Sequence, residues 1–162
     1  MSSLKFMLSI FSFFPLLLFG HGDDLHTQKQ NTVDKRDAVY ESINADYLRD
    51  IRPIFEKKCF DCHSNKTKFP WYYKIPGIKH MIDYDIKKAK KHIDMSDDFP
   101  FISHDIPLMD LKSIKKVVSE NDMPPFRYVL GHWDSRLNED EKRVIINWSE
   151  KSILKLINSS YK

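Results

Sequence analysis

The sequence lacks the features that define several large functional classes. Only two cysteines occur in 162 residues, so there is no second cysteine pair to complete a zinc site. No Arg-rich stripe, recognition-helix signature or base-stacking motif is present, and we therefore expect no nucleic-acid partner. A nucleophile motif, a phosphate-binding loop and a clustered pair of acids are also missing. The residues that carry the chemistry must therefore be sought elsewhere.

A long apolar run occurs at the N-terminus. Lys5 precedes an almost unbroken apolar stretch at residues 6–19, and the small residues Gly20 and Gly22 follow it. This order of charge, apolar run and small residues is typical of a secretory signal peptide. The run is too short for a bilayer span, which needs about 20 apolar residues. We predict that residues 1–22 are a cleaved signal peptide, that the protein is periplasmic, and that no stable membrane span remains.

The rest of the chain divides into two segments. Residues 23–37 are polar and aperiodic, so we predict a flexible tether. Residues 38–162 are long enough for one domain with its own core. Because no cysteine lies near the expected cleavage site, a lipid-anchored N-terminus is not expected.

One five-residue motif, Cys59-Phe60-Asp61-Cys62-His63, carries the strongest chemical signal. On a helix, residues three apart share a face, so both thiols can reach the two vinyl groups of one haem. The adjacent histidine can then ligate the iron. A thioredoxin-like redox pair would need a surrounding βαβ pattern, which is not visible, and a disulfide here would close a very tight loop. The motif resembles that of c-type cytochromes, which implies one covalently attached haem c per chain.

Apolar residues recur at helical spacing through the predicted domain. They predict a helix from about residue 38 that is broken near Pro53, and further helices at about 78–93 and 107–119. Asn138, followed three residues later by Glu141, predicts the capping box of a last helix. The buried face of that helix is expected to contain Val144, Ile145, Trp148, Ser152 and Leu156. No convincing strand is found, so we predict an all-α fold wrapped around one haem.

The second axial ligand decides the chemistry of the iron. We predict Met123, because Pro124 and Pro125 follow it and hold its thioether on a stiff loop outside the preceding helix. Methionines in amphipathic stripes are more often core residues, and surface or supporting roles are the usual ones for histidines outside such a motif. The other candidates are Met81, Met95, Met109, His80, His92, His104 and His132.

Beyond the attachment motif, the chain resembles the bacterial haem-binding domain family of exported monohaem proteins over about Ile51 to Trp148. The resemblance implies a cytochrome c-like helical fold, a proximal His63 and a distal Met123. Where that family often has Gly-Arg, this chain has Ala89-Lys90, and Arg127 could supply the missing guanidinium. The residues that carry the resemblance are Cys59 to Asn65, Thr67, Pro70-Trp71-Tyr72, Pro76, Asp85, Ser96, Met123-Pro124-Pro125, Tyr128, His132, Leu137, Glu141 and Trp148.

Three further residues are candidate haem contacts. Trp71 and Tyr72 can pack on the haem or reach a propionate with their polar tips, and Arg127 can pair with a propionate.

These residues favour an exported electron carrier that performs no substrate turnover of its own. A His/Met-ligated iron has no open position, so the partner is expected to be a redox protein. The lysine clusters are either solvated helix faces or a basic rim that attracts an acidic partner. The alternatives are a haem-based gas or redox sensor and a peroxidase-like module, both with a labile or open distal site.

Overall fold

The computed structural model describes the backbone of residues 23–160 and the side chains of residues 35–160. The predicted signal peptide lies outside these residues, and its cleavage stays a prediction. Within the described chain there are seven α-helices. They are α1 (Asp23–Asp46), α2 (Arg52–Lys58), α3 (Phe60–His63), α4 (Pro76–His92), α5 (Pro107–Ser119), α6 (Phe126–Gly131) and α7 (Glu139–Ser160). The predicted all-α fold is confirmed.

Short irregular elements join the helices. A π-helical turn at Tyr47–Ile51 connects α1 to α2, and 3-10 turns occupy Trp71–Lys74 and Trp133–Ser135. Two strands of two residues, β1 (Ile93–Asp94) and β2 (Ile102–Ser103), form an antiparallel pair. The sequence did not predict this pair, because two residues are too few to show an alternating pattern.

Residues 23–37 differ from their sequence prediction. They form the first part of helix α1, whereas their polar, aperiodic composition predicted a tether. The boundary of the folded domain at residue 38 therefore stays a prediction. Among the helices of residues 23–160, none is both long enough and apolar enough to cross a membrane.

Proline and capping residues set the helix starts. Pro76 and Pro107 occupy the first positions of α4 and α5, and Pro53 the second position of α2; in the first turn the missing N–H costs nothing. At α7 the Asn138 side chain accepts from the Glu141 N–H at 2.8 Å, and the Glu141 carboxylate accepts from the Asn138 N–H at 2.9 Å. The predicted capping box is confirmed.

The main core lies where α1 and the π-helical turn after it pack on α7, which also packs against α5. Five aromatic side chains pack there with ring centroids 5.2 to 6.4 Å apart: Tyr47, Phe55, Phe99, Phe101 and Trp148. The expected buried face of α7 is confirmed except at Val144, which is 38% exposed. Successive helical residues point about 100° apart, so Val144 lies beside the stripe that contains Ile145. This core fixes the scaffold against which the site is built.

Replacing Asn138 tests the capping box. Asn138→Ala should lower the free energy of unfolding by about 1 kcal/mol, because the Glu141 N–H loses the side-chain oxygen that accepts from it. Urea denaturation of the purified protein measures this. Asn147→Ala, at an exposed position within α7, is the control and should change stability by less than about 0.5 kcal/mol. Equal losses in the two variants would contradict the capping assignment.

Candidate functional site

A cavity of about 680 Å³ opens between α3, α4, α5 and α6. Its volume lies in the range of about 300–1,000 Å³ that is usual for cofactor sites. Cys59, Cys62 and His63 line it, as does Met123, which is 60 positions further along the chain. The fold therefore brings all four predicted attachment and ligand residues to one cavity.

The orientation of His63 is set by a backbone contact. His63 ends helix α3, and its Nδ1 lies 2.9 Å from the carbonyl oxygen of Ile93. A carbonyl can only accept, so Nδ1 carries the proton and Nε2 keeps a free lone pair. Burial lowers the pKa of His63 and so favours the neutral ring. A neutral imidazole with its Nδ1 hydrogen-bonded is the form that ligates metal ions.

The strand pair supports this histidine. Ile93, the acceptor for His63, is the first residue of β1 and pairs with Ser103 of β2. Two positions later, the Met95 N–H donates to the His63 carbonyl at 2.6 Å. The segment after α4 thus holds both the ring and the backbone of His63. Sequence reasoning missed this role, because a backbone carbonyl carries no residue signature.

The two cysteines lie one helical turn apart. The Cys59 carbonyl accepts from the N–H groups of Cys62 and His63 at 3.2 and 3.0 Å. Both are free thiols, so the disulfide alternative is not what the structure contains. Burial raises the pKa of Cys59 to about 12 and that of Cys62 to about 11. The thiols therefore stay protonated near neutral pH, which is unlike a reactive redox pair, whose thiol pKa is lowered.

Asp61, between the two cysteines, joins α3 to α6. Its carboxylate accepts from the Tyr128 hydroxyl at 2.6 Å and from the Lys68 N–H at 2.9 Å. Its carbonyl accepts from the Thr67 hydroxyl at 2.9 Å. Burial, with the bond to Asp61, raises the pKa of Tyr128, so its hydroxyl remains a donor. Asp61 is therefore the hydrogen-bond acceptor that joins α3 to α6.

The loop that carries Met123, residues 123–125, leads directly into α6. Met123 is 39% exposed and joined to Pro124 by a cis peptide bond. The carbonyl of Pro125 accepts from the N–H groups of Tyr128 and Val129 at 2.9 and 3.1 Å. Two prolines and this first helical turn restrict how far Met123 can move relative to Tyr128.

The remaining predicted haem contacts differ in whether they line the cavity. Tyr72 lines the cavity, whereas Trp71 lies outside the lining and is 82% exposed. Arg127 lines the cavity, and one of its terminal nitrogens lies 3.2 and 3.3 Å from the two carboxylate oxygens of Asp85. Packing and propionate roles for these residues stay predictions. Because Trp71 does not line the cavity, its predicted haem contact gains no support from the structure.

Several other candidate ligands share the cavity. Met81, Met95, His92, His104 and His132 line it, whereas Met109 and His80 do not.

A buried acid also lines the cavity, and sequence reasoning missed it. Asp110 on α5 is 4% exposed, and its carboxylate accepts from the Ser103 hydroxyl at 2.9 Å. Burial raises its pKa. The only sequence feature that could have indicated a buried acid is a polar residue among the apolar residues of α5. Asp110 is such a residue, because it lies between Leu108 and Leu111.

The donor set fits a haem. Among the described residues, no three His, Cys, Asp or Glu side chains cluster as they would around a bare metal ion. The cavity instead offers one imidazole with a free Nε2, two thiols and a nearby thioether, surrounded by apolar side chains such as Ile82, Ile86 and Ile114. These are the groups that a covalently attached, axially ligated haem requires. The fold and site thus define a helical haem protein.

Comparison with known proteins identifies the family. A model of the haem-binding domain matches residues 21–151, so the chain belongs to the haem-binding domain family. It is also 36% identical, over 123 residues, to cytochrome c peroxidase Ccp of Escherichia coli (strain K12). This match covers 75% of the chain but 26% of the relative, so the chain spans about a quarter of that protein's length. No solved structure matches the chain.

Gly131 provides a test of the packing between α6 and Tyr72. A Cβ at Gly131 would lie 2.8 Å from the Tyr72 hydroxyl oxygen, closer than van der Waals contact allows. We expect Gly131→Ala to lower the free energy of unfolding by about 1–2 kcal/mol, the usual cost of overpacking. Adding Tyr72→Phe should remove most of that loss, since the overlapping oxygen is gone.

Gly77→Ala is the matched control for that experiment. Nothing lies within 4 Å of a Cβ at Gly77, which is in the first turn of α4. This variant should be neutral or slightly stabilising, because alanine is the better helix former. Thermal unfolding of these three variants and the wild type decides the point. A Gly131→Ala protein as stable as Gly77→Ala would contradict the close approach of Tyr72.

Proposed function

We propose that the protein is an exported monohaem c-type cytochrome that carries single electrons, with His63 and Met123 as the axial iron ligands. The observation that carries this proposal is the hydrogen bond from His63 Nδ1 to the Ile93 carbonyl. It leaves Nε2 free in the cavity that the two thiols and Met123 also line. Membership of the haem-binding domain family supports the cofactor.

Cys59 and Cys62 are proposed to hold the haem covalently. Each thiol would add its sulfur and its hydrogen across one vinyl double bond, so two thioethers form and nothing leaves. The raised pKa of both thiols shows that the folded cavity does not activate them as thiolates.

The candidate distal ligands can be narrowed by position. Met95 and His92 flank Ile93, the residue that supports His63, and His104 follows β2, the strand paired with β1. These three belong to the structure that braces the proximal ligand. Met81, His132 and Met123 remain.

Met123 is favoured among these three. His132 is stacked on Tyr128 with ring centroids 4.2 Å apart, so one face of its ring is engaged in packing on α6. Met81 lies within α4, where its backbone is fixed by the helix. Met123 lies on a short loop outside any helix. The two prolines that follow it restrict the backbone and so restrict the direction of its thioether.

Such ligation suits electron transfer. When bound, the haem supplies a one-electron couple whose potential a thioether ligand raises relative to two imidazoles. The chain contributes a fixed imidazole, a largely apolar lining and a loop whose Met123 thioether would hold the iron. Because neither ligand has to leave, electron transfer would require little reorganisation of the protein.

A second candidate function follows from the relative. Its name is that of a cytochrome c peroxidase, and the similarity covers about a quarter of its length. This favours a role for the present fold beside a peroxide-reducing unit, to which it would pass electrons. Peroxidase chemistry within this domain itself would require an open distal position. The two roles differ in whether reduced iron binds an added ligand.

Removing the cysteines tests covalent attachment. In a host that attaches c-type haem, Cys59→Ser and Cys62→Ser should each retain haem through one thioether. The double variant should lose it to acidified solvent. Mass spectrometry of the denatured chain measures this, with the wild-type chain expected to be heavier by one haem. Wild-type protein whose haem is extracted by the solvent would contradict covalent attachment.

Replacing Met123 tests the distal ligand. Met123→Ala should leave an open position, so the reduced protein should bind carbon monoxide and its reduction potential should fall by about 0.1 V or more. The control is Met109→Ala, because Met109 is similarly exposed at 42% but lies outside the cavity lining. That variant should match the wild type in both measurements. Tight carbon monoxide binding by the wild type would instead favour the sensor or peroxidase-like alternatives.

A further inference from the structure

Helix α6, which follows the distal loop, is weakly embedded in the protein. Of its six residues only Val129 is buried, and Phe126 and Leu130 are 68% and 54% exposed. Apolar burial therefore contributes little to holding this helix in place. Its position must depend largely on specific polar contacts.

The most buried of these polar contacts joins α6 to α3, the helix that contains Cys62 and His63. The Tyr128 hydroxyl donates to the Asp61 carboxylate at 2.6 Å in a partly buried setting. By comparison, the pair between Arg127 and Asp85 is longer, at 3.2 Å, and the Arg127 side chain is 69% exposed. Short hydrogen bonds to a carboxylate away from solvent are stronger than exposed ion pairs.

Both ends of the Tyr128–Asp61 bond are themselves fixed. Asp61 lies between the two cysteines, and the Lys68 N–H bonds its other carboxylate oxygen. The Tyr128 ring is stacked on His132 at an interplanar angle of 11°. The Tyr128 N–H donates to the Pro125 carbonyl, two residues after Met123. A displacement of Tyr128 would therefore be passed to the loop that carries Met123.

We propose that Asp61 and Tyr128 are positioning residues that hold the Met123 loop against the iron and so set how readily this ligand is displaced. This inference rests on the proposed His/Met ligation. The bond links the helix that carries the proximal ligand to the helix that follows the distal ligand, across 67 positions of the chain. Breaking it increases the fraction of protein in which Met123 has left the iron.

The test is carbon monoxide binding to the reduced holoprotein. An entering ligand competes with Met123, so its apparent affinity rises in proportion to the open fraction. Tyr128→Phe should raise that affinity about tenfold or more, since a hydrogen bond to a charged group is lost. The methionine-to-iron charge-transfer band of the oxidised protein should weaken in parallel, a change that a purely structural role would not produce.

The chain offers a closely matched control. The Tyr73 hydroxyl donates to the Asp83 carboxylate at the same distance, 2.6 Å, also in a partly buried setting. Neither residue is among those that line the cavity in the described structure. Tyr73→Phe removes the same type of bond and should leave carbon monoxide affinity and the absorption band as in the wild type. Equal behaviour of the two phenylalanine variants would overturn the proposal.

Two Asp61 variants test the same hydrogen bond in case Tyr128→Phe does not fold. Asp61→Asn keeps the side-chain volume and a weaker polar contact, so its affinity for carbon monoxide should fall between wild type and Tyr128→Phe. In an Asp61→Ala background, adding Tyr128→Phe should change the affinity little, because the bond is already absent. Additive effects of the two substitutions would contradict a shared role.

Failure of this proposal can be told apart from failure of the proposed function. If wild-type protein binds carbon monoxide as tightly as Met123→Ala, Met123 is not the ligand and both proposals fall. If wild type excludes the gas and Met123→Ala admits it, the ligation stands. In that case an unaltered Tyr128→Phe protein would overturn the positioning role alone.

Discussion

The site depends on one hydrogen bond, from the His63 ring to the Ile93 carbonyl. It selects the tautomer, turns Nε2 toward the cavity and ties the end of α3 to the strand pair. Without it, a half-buried imidazole could rotate or present the wrong nitrogen. The strand pair is only four residues long, yet its place in the fold is explained by this support of His63.

The protein separates its rigid core from its site. The aromatic cluster around Tyr47 and Trp148 joins the turn after α1, helix α2 and the residues before β2 to α7. The cavity lies beside that core, and the short helices α3 and α6 on its other side are joined through a polar bond. A well-packed core holds one wall of the cavity, while the weakly buried α6 can respond to a change in one contact. In the proposed function, the exchange of the distal ligand would be controlled from that second wall.

The sequence predicted the features that local patterns encode. The bounds of α5, the capping box at Asn138, the all-helical class and the attachment motif follow from spacing, proline position and residue type. The Ile93 carbonyl and the Asp61–Tyr128 bond could not be predicted, because each joins positions far apart in the chain. Exposure of Trp71 was also unforeseen, since aromatic residues in a loop can pack inward or face solvent with equal ease.

X-ray absorption at the iron edge of the oxidised wild-type holoprotein tests the proposed His/Met ligation. We predict six-coordinate iron with five nitrogen ligands and one sulfur ligand, the nitrogens from the porphyrin and His63 and the sulfur from Met123. Six nitrogen or oxygen ligands would contradict the assignment of Met123. Five-coordinate iron would contradict the electron-carrier function itself and favour a site that binds an added ligand.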